Sequence, residues 1–133
     1  MSEEFEPLVT HGQLICEVSD LEEAGQGFRF QLATRDIVPF EGLLDEPDEL
    51  LPAFVILFDG GIYAYLNRCA HIPMEMDWNP GQFFDDDQQH IICSTHNALY
   101  LPDSGQCVLG PCPKGSKLIA VPIDVVGQKI YLR

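Results

Sequence analysis

The chain has 133 residues, enough for one domain whose core buries roughly two-thirds of the surface that the unfolded chain exposes. Seven Lys and Arg against 21 Asp and Glu give a formal charge of −14, which repels phosphate backbones and anionic lipid, so nucleic acid and membrane are not expected as partners. Apolar residues make up 46%, yet no apolar run nears the ~20 residues of a membrane-spanning helix, and the acidic opening Met1 to Pro7 lacks the basic and apolar regions of a secretory signal; a soluble, cytoplasmic protein is expected.

In chain order, residues 1–10 read as a polar lead-in and Gln13 to Val18 as a strand. Ser19 with Glu22 three positions on makes a capping box, which predicts a short helical turn through Ala24 before Gly25-Gln26-Gly27 breaks it. Phe28, Phe30 and Leu32 alternate with polar residues, the pattern of a half-buried strand. Arg35 to Pro52 holds an acidic run among leucines. Its three prolines exclude a long helix or a central strand, so it reads as a surface insertion with Leu43, Leu44, Leu50 and Leu51 folded back onto the sheet. Ala53 to Phe58 and Ile62 to Leu66, joined by Asp59-Gly60-Gly61, form a predicted hairpin.

Further strands are expected at Gln89 to Cys93 and Leu99 to Leu101, with Pro102 to Gly105 as a turn. Lys117 to Val125 and Gln128 to Leu132 close the chain as a last hairpin. Nine or ten short strands without a helical period predict an all-β sandwich or small barrel.

Two loops carry the chemistry. Cys69-Ala70-His71 and Cys93-Ser94-Thr95-His96 each offer one thiolate and one imidazole. Two Cys and two His in this pairing are the donor set in which His₂ replaces Cys₂ on one iron of a [2Fe–2S] cluster. A structural zinc site also accepts Cys₂His₂, but its knuckles more usually carry Cys-x₂-Cys. Five Cys is an odd number for a disulfide framework. Cys16 lies in a strand pattern and reads as a core residue. Cys107 and Cys112 are close enough to bridge, but a reducing cytoplasm favours free thiols.

From Asn67 to the C-terminus the chain resembles a Rieske protein. The resemblance implies a basal antiparallel β-domain, residues 11–66 plus 114–133, with a cluster-binding subdomain, about 67–113, inserted into it. It implies Cys69, His71, Cys93 and His96 as ligands of one [2Fe–2S] cluster. It also aligns Asn97 with a usual Gly, Tyr100 with a Tyr that hydrogen-bonds a ligand sulfur in high-potential members, and Gly110-Pro111-Cys112-Pro113 with the proline loop over the cluster.

The departures from that pattern bear on the potential. Where quinol-oxidising members have a loop disulfide and a Ser donating to the cluster, this chain has Met74, Thr95 and Ala98. Fewer donors stabilise the reduced cluster less, so a potential toward the low end of about −150 to +300 mV is expected. The 21 residues between His71 and Cys93 exceed the usual ferredoxin spacing. The surplus holds Trp78, Phe83 and Phe84, expected to pack the small subdomain, and Asp85-Asp86-Asp87, expected as a solvated hairpin tip and not a metal site.

The resemblance implies a stand-alone Rieske-type ferredoxin, a one-electron carrier between a flavin reductase and an oxygenase component or another acceptor. An apolar collar of Ile72, Pro73, Ala98 and Leu99 around the His ligands would suit transient docking. An oxygenase adds a large catalytic domain with its own mononuclear iron. This chain ends at Arg133 with His11 and His90 as its spare imidazoles, so no catalysis of its own is expected. The rival from another class is a redox-responsive interaction subunit whose cluster is sensed and carries no throughput.

Overall fold

Asp59-Gly60 does what its residue types require. Both residues have positive φ, 51° and 78°, as the centre of a tight hairpin turn that matches strand twist demands. The Glu23 carboxylate accepts from the backbone N–H of Asp59 and, at 3.2 Å, of Gly60. The turn joins the two longest-paired strands of a protein with nine described strands.

This computed structural model describes residues 7–10, 12–33, 50–67, 82–85, 87–93, 98–109 and 117–133. Its strands are β1 (Leu14–Glu17), β2 (Phe28–Ala33), β3 (Leu50–Phe58), β4 (Gly61–Leu66), β5 (Ile91–Cys93), β6 (Ala98–Tyr100), β7 (Cys107–Leu109), β8 (Ile123–Val126) and β9 (Lys129–Leu132). They form three antiparallel sheets of order β1-β9-β8, β2-β3-β4 and β5-β6-β7. Among the described residues there is no α-helix, and the all-β expectation holds.

Two apolar cores divide the work. Val9, Ile15, Cys16, Phe30, Leu32, Leu51, Val55, Ile130 and Leu132 are among those filling the first, between the β1-β9-β8 and β2-β3-β4 sheets. Phe54, Ile56, Tyr65, Phe83, Ile91, Cys93, Ala98, Tyr100 and Leu118 fill the second. The side-chain alternation of β3 explains the division, since Val55 faces one core while Phe54 and Ile56 face the other. β3 is thus buried on both faces. Residues 117–121 tie the sheets together: Leu66 donates to Ile119 and Val121 to Ala64, each at 2.9 Å, and Leu118 donates to Gly105 at 2.8 Å.

Three expectations need correction. The helical turn is a 3₁₀ turn at Val18–Asp20, capped by Glu17 and Asp20 and not by Ser19 and Glu22. Glu17 and Asp20 stand at the same three-residue spacing and exchange side-chain and backbone bonds two residues earlier. Second, the insertion does not extend to Pro52, because Leu50, Leu51 and Pro52 lie in β3, the central strand of its sheet; residues 34–49, with Leu43 and Leu44, lie outside the described residues.

Pro52 is tolerated for a definable reason. Its partner on β2 is Gln31, whose N–H and C=O are directed to Pro7 and Val9 on the other side, at 2.9 and 2.8 Å, so β2 asks no donor of Pro52. On the β4 side Pro52 only accepts, from Asn67 at 2.8 Å, at the end of the ladder. The third correction concerns the last hairpin. β8 starts at Ile123, just past Pro122, while residues 117–121 make isolated bridges at Lys117 and Ala120.

Candidate metal centre

Cys93 ends β5 directly opposite Ala98, which begins β6. That register closes a hairpin over positions 94–97, the loop that carries His96. Ser94, Thr95, His96 and Asn97 lie outside the described residues, as do Cys69, His71, Ile72, Pro73, Met74 and Trp78. Of the four expected ligands the structure therefore positions Cys93, whose side chain is completely buried in the second core. The first loop is fixed at its entrance. Asn67 follows β4, is buried, and donates its N–H to Pro52, so Cys69 stands two residues beyond an anchored strand end.

The strands on either side of the site are fastened to each other. The Tyr65 hydroxyl donates to the Pro102 carbonyl at 2.8 Å, joining β4 to the turn between β6 and β7. Gly105 in that turn has φ +77°, and a Cβ there would sit 2.9 Å from Tyr65 Cε1, so both the backbone angle and the ring demand glycine. Burial, then Asp103, then Tyr63 push the Tyr65 phenol well above its ordinary range. It stays protonated and keeps donating.

The described part of the surplus between the ligand loops, residues 82–85 and 87–92, pairs back on itself against β3. Ile92 donates to the Phe83 carbonyl at 2.8 Å, Asp85 to His90 at 2.9 Å, and Phe84 bridges Ile91. Phe83 stacks on Phe54 with ring centroids 3.9 Å apart, and Phe84 on Phe58 at 5.9 Å. The packing role expected for these two aromatics is met. Asp85 closes the tip by accepting from the N–H groups of Gln89 and His90, and its carboxylate lies 3.7 Å from His90 Nδ1. Asp87 is exposed, and among the described residues no three His, Cys, Asp or Glu side chains converge as a metal site.

Tyr100 is completely buried. Its partner in register is Ile91, two residues before Cys93 on the same face of the sheet. Cys16 is buried and its thiol is pushed up to about 12, first by burial and then by Asp20 and Glu17; it is a core residue, as expected. Cys107 departs from the free thiol expected of it. It is disulfide-bonded, to a partner outside the described residues, where Cys112 and the rest of Gly110 to Pro113 also lie. Strand β7, which carries Cys107, follows the Pro102 to Gly105 turn that was expected to lie between strands, though its own bounds were not read from the sequence.

The family model of the Rieske [2Fe-2S] domain matches residues 11–127. The chain belongs to the Rieske [2Fe–2S] domain family. Among solved structures it is similar to the ferredoxin of carbazole 1,9a-dioxygenase from Nocardioides aromaticivorans IC177, at 17% identity over 91% of this chain and 95% of that one, with a TM-score of 0.60. It is likewise similar to Sphingomonas yanoikuyae B1 ferredoxin, at 15% identity over 92% and 97%, TM-score 0.62. A third similar chain comes from a complex of reduced oxygenase and oxidized ferredoxin in carbazole 1,9a-dioxygenase, at 17% identity over 91% and 100%, TM-score 0.61. At these identities the likeness is one of fold. No curated protein matches the chain by sequence.

Membership implies a Rieske-type [2Fe–2S] cluster, and Cys93 fits it. Its thiol is enclosed by Ile91, Ala98 and other apolar neighbours at the end of β5, and a thiolate there is a donor that ferric iron takes. The same enclosure would keep water from an iron–sulfur bond formed at Cys93.

Proposed function

We propose that this Rieske domain is a ferredoxin-type one-electron carrier, with Cys69 and Cys93 holding one iron and His71 and His96 the other. It works between a reductase, such as a flavin reductase, and an oxygenase component or other redox acceptor, and is not itself an enzyme. The observation that supports this best is that Cys93 terminates a strand in a rigid, fully buried core while the chain matches free-standing ferredoxins over nearly their whole length. When bound, the cluster supplies a one-electron couple.

We read the chain as one domain in which about 67–113 form a cluster-binding subdomain inserted into a basal β-domain of 11–66 and 114–133. The first core draws on no residue of 67–113, which supports a separate basal unit, while the second joins Phe83, Ile91, Cys93, Ala98 and Tyr100 to Phe54, Ile56, Tyr65 and Leu118 of that unit.

The test is throughput. Holo-protein is added in increasing amounts to an NADH-dependent flavin reductase and a one-electron acceptor, and turnover should rise in proportion to it. A fully loaded cluster that cycles between oxidised and reduced forms without raising turnover would favour a redox-responsive interaction subunit instead.

A further inference from the structure

The β5-β6-β7 sheet hides one face and shows the other. Ile91, Cys93, Ala98 and Tyr100 point into the second core. The alternate positions are also apolar, and register aligns them: Ile92 opposes Leu99, and Leu99 opposes Leu109. Ile92 and Leu99 are half-buried, and Leu109 is 63% exposed. The pairing slips between Leu99 and Tyr100, so that Val108 is an extra residue in β7. It too is exposed, at 46%. A bulge of this kind sets two apolar side chains next to each other on an outer strand, where natural sheets usually carry charge.

The charge around this row is mainly acidic, with exposed Lys117, which bridges Gln106 just before β7, as the exception among the described residues. Between Arg68 and Lys114 the sequence has six carboxylates and neither Lys nor Arg. Exposed Asp87 precedes β5 and exposed Asp103 follows β6, so both stand at the sheet end away from the ligand loop. The apolar row lies between that acidic end and Cys93. Ile92 is the residue directly before the cysteine.

We infer that Ile92, Leu99, Val108 and Leu109 form the docking surface for a redox protein that presents an apolar patch inside a basic rim. This deepens the electron-carrier reading and rests on it. Complementary charge speeds encounter, and the apolar row holds the complex once formed. A partner seated there lies on the outer face of the strand that ends in Cys93, across the sheet from the core into which Cys93 points.

Ferricytochrome c, a small basic haem protein, is a suitable probe. Reduced holo-protein is mixed with it in a stopped-flow instrument at low and high ionic strength, for the wild type, for Val108→Thr/Leu109→Asn, and for Val126→Thr. Val126 is 64% exposed at the tip of the β8–β9 hairpin and serves as control. Iron content, visible spectrum and reduction potential are measured for each. The double variant should keep all three and lose about tenfold in bimolecular rate constant, as removal of apolar anchors from a small interface does; the Val126 variant should match the wild type, and salt should slow both.

Equal rates for the double variant and the wild type would overturn the docking surface while leaving the carrier reading intact. So would a concentration-dependent dimer abolished by the double variant, since the row would then cover a second copy of the chain. A loaded wild type that passes no electrons would overturn the carrier reading, and the docking surface with it.

Discussion

Phe83→Ala tests whether the surplus hairpin and the ligand strand share one core. Phe83 is completely buried, stacks on Phe54 at 3.9 Å, and belongs to the same apolar cluster as Cys93. Truncating a fully buried Phe costs about 3–5 kcal/mol, of which the ring pairing accounts for roughly 0.5–1.5. For a domain of this size each kcal/mol lowers the midpoint by roughly 3–4 °C, so the loss should be on the order of 10–20 °C. Phe84→Ala is the comparison. Phe84 is half-buried and its ring lies 5.9 Å from that of Phe58, so about a third of that loss is expected. Holo-protein is heated at one scan rate with far-ultraviolet dichroism and visible absorbance recorded together. In Phe83→Ala both signals should fall earlier and at the same temperature. A midpoint within about 3 °C of the wild type, or a cluster that survives after the strands have melted, would show that Cys93 does not depend on this core.

Purified holo-protein should contain two irons and two acid-labile sulfides per chain, and Cys93→Ala should lose them; stoichiometric zinc after expression with ample iron would refute the donor assignment. Cys16, with its thiol pushed up to about 12, should resist iodoacetamide at pH 8 in the folded protein and react on unfolding. Because its folded value lies above the unfolded one, its contribution is intact below about pH 8.5 and is lost as pH rises toward 12, so the wild type should lose stability relative to Cys16→Ala across that window. Cys107 should be alkylated only after reduction, as peptide mass mapping would show, and labelling without reductant would contradict its disulfide.

What the sequence revealed depended on whether the decisive signal was local. Asp59-Gly60 carries its own turn geometry, and the alternation of Phe28, Phe30 and Leu32 announces a strand with one face in the core, as Phe30 and Leu32 show. The pattern of Cys69, His71, Cys93 and His96 stands out because cluster ligation restricts both residue type and spacing, and of the four the structure describes Cys93, in the second core. Pro52 was misread because its tolerance is decided by a neighbour. Only the outward-directed backbone of Gln31, occupied by residues 7–9, frees Pro52 from donating to β2. The 3₁₀ turn was misplaced because Glu17 with Asp20 and Ser19 with Glu22 offer similar caps, and packing of Leu21 into the first core chose between them. The state of Cys107 was misread because the free thiol was expected from an assumed reducing compartment, which the spacing itself does not encode.

The two-faced burial of β3 gives the fold its bearing on electron transfer. Phe54 and Ile56 line the core that encloses Cys93, while Val55 and Ala53 line the core of the basal sheets. From Ala53 to Phe58 the same strand pairs with the whole of β4, whose end is held at Asn67 just before the first ligand loop, and β4 is latched through Tyr65 to the turn that follows β6. A shift of either loop's base would have to break apolar packing, a ladder end and a buried hydroxyl bond together. A binding site whose supports are locked by packing and second contacts keeps its geometry through a change of charge. The hairpin that carries Cys93 therefore rests on a scaffold that a change of charge at its end, or a partner meeting Leu99, Val108 and Leu109, would not have to rearrange.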